Sequence, residues 1–466
     1  MRILNRYFSI YAVLLLLGDV ALSVCLTDLV RLGAFLTGLS EGPDLPWWTI
    51  QGLALALFVI LAFYYSDLYA IDQTLSQREL FLRLVNGFGL TCLMVAAATY
   101  FLPGLRFRKI YLLELVVVGF GLFTWRFAFI RVLKRSRIHS RVLIVGTQEI
   151  GKKVAEELFQ QQHLGMQVVG FIGSRRGKVS LSIGNPTRVS VPVFPKQALL
   201  ELVEREGVNR ILAAGTGSIE DFPALEPVLL RLKGIPIEDC HTFYERLTSK
   251  IAITDLQPGW IAFSSGFRRT RGILFAKRVI DMVVSAVGLV ISAPLALATA
   301  IAIKFDSEGP ILYRQERIGQ YERPFVLYKF RSMFSDAEAE TGPVWAAEND
   351  PRATRVGKII RKLRIDEIPQ MVNVLRGEMS FVGPRPERTY FVSRLKEKVP
   401  FYPLRFTVKP GITGWAQISH SYGDSDEDAV EKLQYDLYYI KNVSVIFDLQ
   451  IIFETFKVII FGKGAQ

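Results

Sequence analysis

A chain of 466 residues has room for about three domains. Half of its residues are hydrophobic and only 21% are charged, which excludes a disordered or linker-like protein. With 56 Lys and Arg against 44 Asp and Glu, the net charge is +12, a balance that suits nucleic acid, anionic lipid or a phosphate-bearing substrate.

Four apolar stretches open the chain: 8–30, 47–65, 84–102 and 111–130. Each is near the ~20 residues needed to cross a bilayer. No small-residue cleavage site follows the first, so it is not read as a signal peptide. Tyr7, Tyr11, Trp47, Trp48, Tyr64, Tyr65, Tyr100 and Tyr111 sit near the ends, as an aromatic belt would. Arg2 and Arg6, Arg78 and Arg83, and the cluster Arg131, Lys134, Arg135, Arg137 and Arg141 mark their segments as cytoplasmic. Arg106, Arg108 and Lys109 run against that rule. Glu114 and Arg126 are expected to reach water from the ends of the fourth span. Asp19 lies deeper, and either makes a polar contact within the bundle or reaches water by tilt.

Next, strands at 141–146, 168–172 and 210–214 alternate with helical patterns at 149–161, 196–205 and 219–232. The alternation predicts a Rossmann-like parallel α/β domain over 138–245. Its first turn, Gly146-Thr-Gln-Glu-Ile-Gly151, has Gln148 where a dinucleotide fingerprint needs its middle glycine. The second strand leads to Gly173-Ser-Arg-Arg176 and no acid for a ribose hydroxyl. Arg175 and Arg176 suit a 2′-phosphate but also ordinary loops. The pattern favours an interaction or regulatory domain. Residues 246–276 read as a linker. The three cysteines, Cys25, Cys92 and Cys240, share no metal-ligand spacing, so neither a disulfide framework nor a zinc site is expected. His139, His163, His241 and His420 are scattered and read as surface or loop residues.

A fifth apolar run, 282–303, holds Ser292-Ala-Pro294 in its middle and has basic residues on both flanks. A crossing helix would strand one basic flank on the wrong face. A re-entrant membrane helix over 277–303 that breaks at Pro294 keeps both flanks on one side. Ser292 could then satisfy a freed carbonyl.

The C-terminal third carries the chemistry. Residues 351–364 hold six basic residues and no acid. Val356, Ile359, Ile360 and Leu363 recur at helical spacing, and a new helix is expected near Asp366 with Pro369 in its first turn. Asp366 and Glu367 would then lie at a helix N-terminus, a place that favours anions. Neighbouring cations would keep a carboxylate ionised as a nucleophile, and a second carboxylate can help hold Mg²⁺ beside substrate phosphates. Arg385 is displayed between two prolines in 377–387. Lys329 and Arg331 flank the end of an apolar strand. A glycine-rich turn follows at 409–417. Asp436 and Asp448 lie near a last apolar helix, 446–461, read as interfacial with a basic end at Lys463. Each feature alone is ordinary loop chemistry.

Together, KRVIDMVVS (277–285), KFDSEGPILYRQERIG (304–319), YKFRSM (328–333), PRATRVGKIIRKLRIDEIPQMVNVLRGEMSFVGPRPE (351–387), KPGITGWAQ (409–417) and DLYYIKNVSVIFDL (436–449) resemble the bacterial sugar transferases that start glycan assembly on a lipid carrier. These are the polyisoprenyl-phosphate hexose-1-phosphate transferases, or monotopic phosphoglycosyl transferases. The N-terminal half resembles the long form, in the subgroup linked to exopolysaccharide synthesis. One departure is Ala293, where the family commonly has serine before the proline. The resemblance implies a membrane protein of α and α/β class. It would have a four-helix transmembrane bundle over 1–135, the α/β domain, the linker and re-entrant helix, and a mainly helical catalytic domain over 304–466. It implies that Asp366 attacks a UDP-sugar, that UMP leaves, and that the sugar phosphate passes to a polyprenyl (undecaprenyl) phosphate. Glu367, with Asp366, would hold Mg²⁺. Lys329, Arg331, Arg361, Arg385, Glu387 and Asp448 would bind substrate, with Arg352 or Lys362 as alternative cations. The expected place is the bacterial cytoplasmic membrane, multi-pass, with the catalytic domain facing the cytoplasm. Downstream glycosyltransferases of the same pathway are expected partners and nucleic acid is not; a homo-oligomer is left open. Two other readings are a nucleotide-sensing scaffold and a membrane-tethered NAD-dependent epimerase or dehydratase. The Asp366-Glu367 pair opposes the first, and the broken glycine fingerprint opposes the second.

Overall fold

The computed structural model describes residues 2–3, 6–7, 10–37, 45–66, 68–69, 77–101, 110–135, 140–161, 165–183, 188–214, 226–264, 266–267, 269–334, 337, 350–420 and 425–461. His139, His163, Arg106, Arg108, Lys109, Arg137 and Lys463 lie outside them. Two compact units are formed. One comprises Met1–Val145, Ala155–Ile211 and Asp221–Ile237; the other comprises Gly146–Val154, Leu212–Glu220 and Glu238–Gln466.

In the first unit, two short strands, β1 (Arg2–Ile3) and β2 (Arg6–Tyr7), pair antiparallel. Four helices follow: α1 (Ile10–Leu36), α2 (Leu45–Tyr65), α3 (Gln77–Phe101) and α4 (Ile110–Arg135). Apolar runs of this length must fold as helices in lipid, because only a helix satisfies its own backbone there. Among the described residues, Val13–Leu36, Leu80–Tyr100, Leu112–Val132 and Arg271–Asp306 are long and apolar enough to cross a membrane, while Ile50–Tyr65 is shorter.

Four charges in these helices turn inward. Asp19 is fully buried and pairs with Arg126, and Tyr69 donates to the same carboxylate oxygen at 2.8 Å. Arg126 also donates to the Leu68 carbonyl. Glu114 accepts from Arg31 at 2.7 Å. Glu114 and Arg126 are each 1% exposed, so neither reaches water as expected. A charge facing hydrocarbon costs more than one held by a partner, and α1 supplies both partners.

The α/β part runs β3 (Ser140–Val145), α5 (Glu149–Gln160), β4 (Met166–Gly173), β5 (Gly177–Ser182), β6 (Arg188–Pro195), α6 (Leu199–Glu206), β7 (Arg210–Ala213), α7 (Glu226–Leu232) and β8 (Ile237–Asp239). The sheet order is β5-β6-β4-β3-β7-β8, with β3, β4 and β6 parallel. The β5–β6 antiparallel hairpin was not expected. Its strands, GKVSLS and RVSVPVFP, are rich in Ser and carry Pro192 and Pro195, so they read as loop. Leu143, Val145, Ile172, Leu202 and Ile211 form the core here.

At the turn after β3, the Ile150 N–H in the first turn of α5 donates to Asp255 Oδ2 at 3.3 Å, and Lys153 Nζ donates to Thr254 Oγ1 at 2.6 Å. The position where a dinucleotide diphosphate would meet this helix therefore already holds a carboxylate of the chain. Asp255 belongs to the stretch expected as a linker. That stretch instead buries Ile251, Ile253 and Leu256 in the core of the second unit. The flanking helices are α8 (Cys240–Thr248) and α9 (Pro258–Phe263). His241 is buried rather than exposed, with Nε2 3.3 Å from the Thr254 carbonyl.

The second unit continues with α10 (Arg271–Asp306), the antiparallel pair β9 (Leu312–Ile318) and β10 (Pro324–Phe330), α11 (Arg355–Lys362) and α12 (Gln370–Arg376). Then come β11 (Ser380–Val382), α13 (Thr389–Lys398), β12 (Gly411–Thr413) parallel to β11, α14 (Trp415–Ser419), α15 (Asp426–Lys441) and α16 (Val445–Phe461). Their core centres on Leu395, Tyr402, Trp415, Tyr439 and Phe447. One face of α16 buries Phe447 and Ile451, while Ile446, Leu449 and Phe456 stay exposed.

Helix α10 is capped by Thr270, and helical bonding runs on through Pro294. The expected interruption is therefore absent as a break in secondary structure. Nor does Ser292 serve the freed carbonyl. A proline at 294 frees Val290 O, whereas Ser292 Oγ lies 3.5 Å from Leu289 O.

The buried Asp19–Arg126 pair makes a prediction for stability. Asp19→Ala should destabilise the detergent-solubilised protein by about 3–5 kcal/mol, because it leaves a buried guanidinium unpaired. Asp19→Leu combined with Arg126→Leu should destabilise it much less. Thermal unfolding of the three proteins distinguishes these outcomes.

Candidate active site

Asp366 and Glu367 occupy a 3₁₀ turn, Ile365–Glu367, between α11 and α12. The helix starts later than expected, at Gln370, with Pro369 as its N-cap. Because α12 is only seven residues long, side-chain cations rather than a helix end set the field at the carboxylates. Both carboxylates are 7% exposed.

Three cations converge on one oxygen. Glu367 Oε1 lies 2.9 Å from Arg385 Nη2, 3.4 Å from Lys329 Nζ and 3.5 Å from Arg364 Nη1. Burial opposes ionisation of Glu367, but Arg385, Lys329 and Arg364 together outweigh it and hold its carboxyl below the usual range. Asp366 differs. Burial pushes its carboxyl up, with the Glu367 charge adding to the effect, against Lys329, Arg385 and Arg364. No hydrogen bond to its side chain occurs among the described residues. Neighbouring cations, expected to keep a carboxylate ionised, do so for Glu367, while at Asp366 burial outweighs them. Asp366 is left as the more basic carboxylate, with its oxygens unengaged.

Each cation is held by its surroundings. Lys329 lies on β10, which Asn373 clips to α12: its side chain accepts from Tyr328 N–H at 3.1 Å and donates to Val326 O at 2.7 Å. Arg364 has φ +57°, a left-handed conformation that costs a non-glycine residue about 1–2 kcal/mol. Arg385 sits in a turn whose prolines lack N–H groups, and every carbonyl from 384 to 387 finds a donor. Pro384 O accepts from Gly411 N–H at 2.9 Å, Arg385 O from Arg405 at 3.0 Å, Pro386 O from Arg317 at 3.1 Å and Glu387 O from Ile318 N–H at 3.0 Å. Arg405 is itself fixed by Asp436 at 3.0 Å and Tyr402 at 2.7 Å. Burial pushes the Asp436 carboxyl up to about 6, although Arg405 opposes it.

The remaining expected residues are placed elsewhere. Arg331 is buried and donates to the carbonyls of Ile303, Ser307 and Glu308, so it caps the C-terminal end of α10 and is not open to substrate. Arg361, on α11, does not bond the pair; its charge helps lower Asp350, which Arg352 holds at about 2 chiefly by hydrogen bonding. Glu387 Oε2 lies 4.0 Å from Arg317. Asp448 is engaged by Lys277 at 2.6 Å and Tyr439 at 2.8 Å, a structural clasp between α10, α15 and α16. Among the expected site residues, Asp366, Glu367, Lys329 and Arg385 are the ones brought together. Sequence reasoning missed Arg364, Asn373, Arg405 and Gln370. Arg364 was visible as charge but not as a left-handed residue. Gln370 Nε2 is buried without a partner, an orphaned donor at the start of α12.

The unit is sewn along α10. Arg278 donates to the carbonyls of Val374 at 2.6 Å and Leu375 at 2.9 Å, and Asp281 accepts from Ser380 and Phe381 N–H. At Gly288 an added Cβ would come 2.9 Å from Met371 Sδ, so α12 packs directly on the helix. At the far end, Asp306 accepts from Val356 N–H at 3.0 Å.

The sequence model of the bacterial sugar transferases matches residues 273–462, and that of a CoA-binding domain matches 65–220. An exopolysaccharide production protein PSS of Rhizobium leguminosarum bv. phaseoli is 41% identical over 187 residues, 39% of this chain and 94% of that protein. The chain belongs to the bacterial sugar transferase family. A UDP-N-acetylgalactosamine-undecaprenyl-phosphate N-acetylgalactosaminephosphotransferase of Aeromonas hydrophila is 42% identical over 235 residues, 50% of this chain and 55% of that protein. A UDP-glucose:undecaprenyl-phosphate glucose-1-phosphate transferase of Escherichia coli (strain K12) is 41% identical over 181 residues, 38% of this chain and 39% of that protein. The chain thus spans about half the length of the first of these transferases. The family match contains the carboxylate pair, its three cations and α10 from Ile273 onward.

These placements separate two arginines that look alike in sequence. Arg385→Ala should reduce sugar-phosphate transfer by the equivalent of about 1.5–3 kcal/mol with little change in melting temperature. Arg331→Ala should instead lower the melting temperature, because it uncaps α10. Parallel activity and unfolding measurements on both variants check this.

Proposed function

We propose that the protein transfers a sugar 1-phosphate from a UDP-sugar to polyprenyl phosphate in two displacements at Asp366. The observation that carries this reading is a buried carboxylate pair in which Glu367 gathers three cations and Asp366 is left unengaged. In the first displacement an Asp366 oxygen attacks the β-phosphorus of the UDP-sugar. The bond to the bridging oxygen breaks, and UMP leaves with that oxygen. In the second, an oxygen of polyprenyl phosphate attacks the same phosphorus, the acyl phosphate bond breaks, and Asp366 returns as carboxylate. Lys329, Arg364 and Arg385 would screen the diphosphate. The raised basicity of Asp366 favours nucleophilic attack once it is ionised. The names of the relatives support undecaprenyl phosphate as acceptor and leave the sugar open, with N-acetylgalactosamine in one and glucose in another. The product would feed the glycosyltransferases of the same pathway.

A Mg²⁺ ion fits this donor set. It commonly needs one or two carboxylates beside substrate phosphates, and Asp366 has free oxygens. Among the described residues no cluster of three or more acidic, His or Cys ligands exists, so the chain alone would not form a closed cage. Glu367 and Asp366 would hold the ion, whose contribution is to neutralise diphosphate charge.

For topology, we infer four crossings by α1–α4 and a re-entrant α10 in the cytoplasmic membrane, with the catalytic unit on the cytoplasmic side where UDP-sugars occur. What supports this is the stitching of α10: Arg278 near one end, Gly288 at its middle, and Ile303 and Asp306 near the other end all contact the same unit. A helix crossing ~30 Å of hydrocarbon would carry its ends to opposite faces.

Asp366→Asn should retain UDP-sugar binding yet release no UMP; substantial turnover would remove Asp366 from the nucleophile role. Glu367→Gln should keep residual activity that responds to Mg²⁺ concentration. For topology, a single cysteine at Gln320, in a background lacking Cys25, Cys92 and Cys240, should resist an impermeant thiol reagent in intact cells and react once the membrane is opened. Labelling of intact cells would refute the re-entrant arrangement.

A further inference from the structure

Lys409 opens the glycine-rich turn before β12. Its ammonium forms no hydrogen bond or ion pair among the described residues. It does not stand alone. The Cβ position of Gly377 lies 3.6 Å from both Lys409 Nζ and Arg278 Nη2, so the two nitrogens are within about 7 Å of each other. One phosphate can bridge that spacing through charge-assisted bonds of about 2.8 Å. Gly377 has φ +84°, and its lack of a side chain leaves the space between the two cations open.

The neighbouring acids are committed elsewhere. Asp448 is paired with Lys277, and Asp281 Oδ1 accepts from Ser380 and Phe381 N–H. Arg278 uses two of its N–H groups on the α12 carbonyls and has others to give. The cluster sits in the first turns of α10 among exposed apolar residues: Leu274 and Phe275 before Arg278, and Val279, Met282, Val283 and Val287 after it. These belong in lipid, which puts Lys409 and Arg278 at headgroup depth.

We propose that Lys409 and Arg278 form a phosphate-binding site for a lipid at the membrane surface, separate from the Glu367 cluster and, on the function proposed above, a station for the lipid acceptor. Electrostatics agree: burial, then the charges of Arg278 and Lys277, lower the Lys409 ammonium against the pull of Asp281, a strain that a bound anion relieves. The acceptor phosphate and an anionic bilayer headgroup share this chemistry.

The test uses the full chain in phosphatidylcholine nanodiscs. Acylation of Lys409 by an amine-reactive ester is read by mass spectrometry with polyprenyl phosphate, phosphatidylglycerol or inorganic phosphate added. A lipid phosphate should reduce labelling about tenfold, the scale of one charge-assisted contact. Protection by polyprenyl phosphate alone assigns the site to the acceptor, and protection by both lipids assigns it to headgroups in general. Protection by inorganic phosphate with no effect of either lipid, or no protection at all, overturns the proposal. If the acceptor binds here, Lys409→Gln should raise KM for polyprenyl phosphate about tenfold. Lys409→Arg should restore it. The UMP burst without acceptor should keep its wild-type size; it tests the aspartyl step by itself and fails independently of this site. An unchanged KM in Lys409→Gln after acceptor-specific protection would equally refute the acceptor assignment.

Discussion

Glu367 is the charge around which the candidate site of the second unit is arranged. Lys329, Arg364 and Arg385 come from a strand, a left-handed turn and a proline-bounded turn, and each would repel the others without a shared anion. One carboxylate oxygen holds them together. The neighbouring Asp366 experiences the same field but accepts no hydrogen bond among the described residues, which divides the pair into an organiser and an unengaged carboxylate. Two adjacent acids thus acquire different roles from their surroundings, not from their chemistry.

That cluster is only as precise as its supports, which lie mostly outside it. Asn373 sets β10 against α12, and Arg405 with Asp436 fixes the carbonyl of Arg385. Arginine recurs here as a cap on helix ends: Arg331 closes α10 and Arg278 closes α12. Guanidinium suits that task because one group can meet several carbonyls at once. In α1 and α4, Asp19–Arg126 and Arg31–Glu114 bury charge as pairs. Lys409 departs from that pattern, and this is why it stands out.

The middle domain has a familiar outline whose first turn is already occupied by the chain itself. Its strand–turn–helix start has the form of a nucleotide turn, yet Asp255 bonds the first turn of α5. The segment supplying Asp255 also buries Ile251, Ile253 and Leu256 in the catalytic core, so the turn is tied to that core by the chain itself.

What the sequence determined by itself was whatever depends on local periodicity and on short motifs. The four N-terminal helices, the strands β3, β4 and β7, the apolar length of α10, and the candidacy of Asp366, Glu367, Lys329 and Arg385, which the fold brings together, were all legible there. These features follow from residues close together in the chain, where apolar spacing and proline or glycine position act directly. Only the tertiary structure decided which cation meets which carboxylate. It assigned Arg331 to a helix end and Asp448 to a clasp, moved the helix start from Asp366 to Gln370, and turned Glu114 and Arg126 away from water. It also drew a supposed linker into a core. In several of these cases the partner lies far away in sequence: 83 positions separate Arg31 from Glu114, 107 separate Asp19 from Arg126, and 171 separate Lys277 from Asp448. A charge in a sequence announces that it needs a partner, but folding chooses the partner, because the pairing energy depends on a distance that no local pattern encodes.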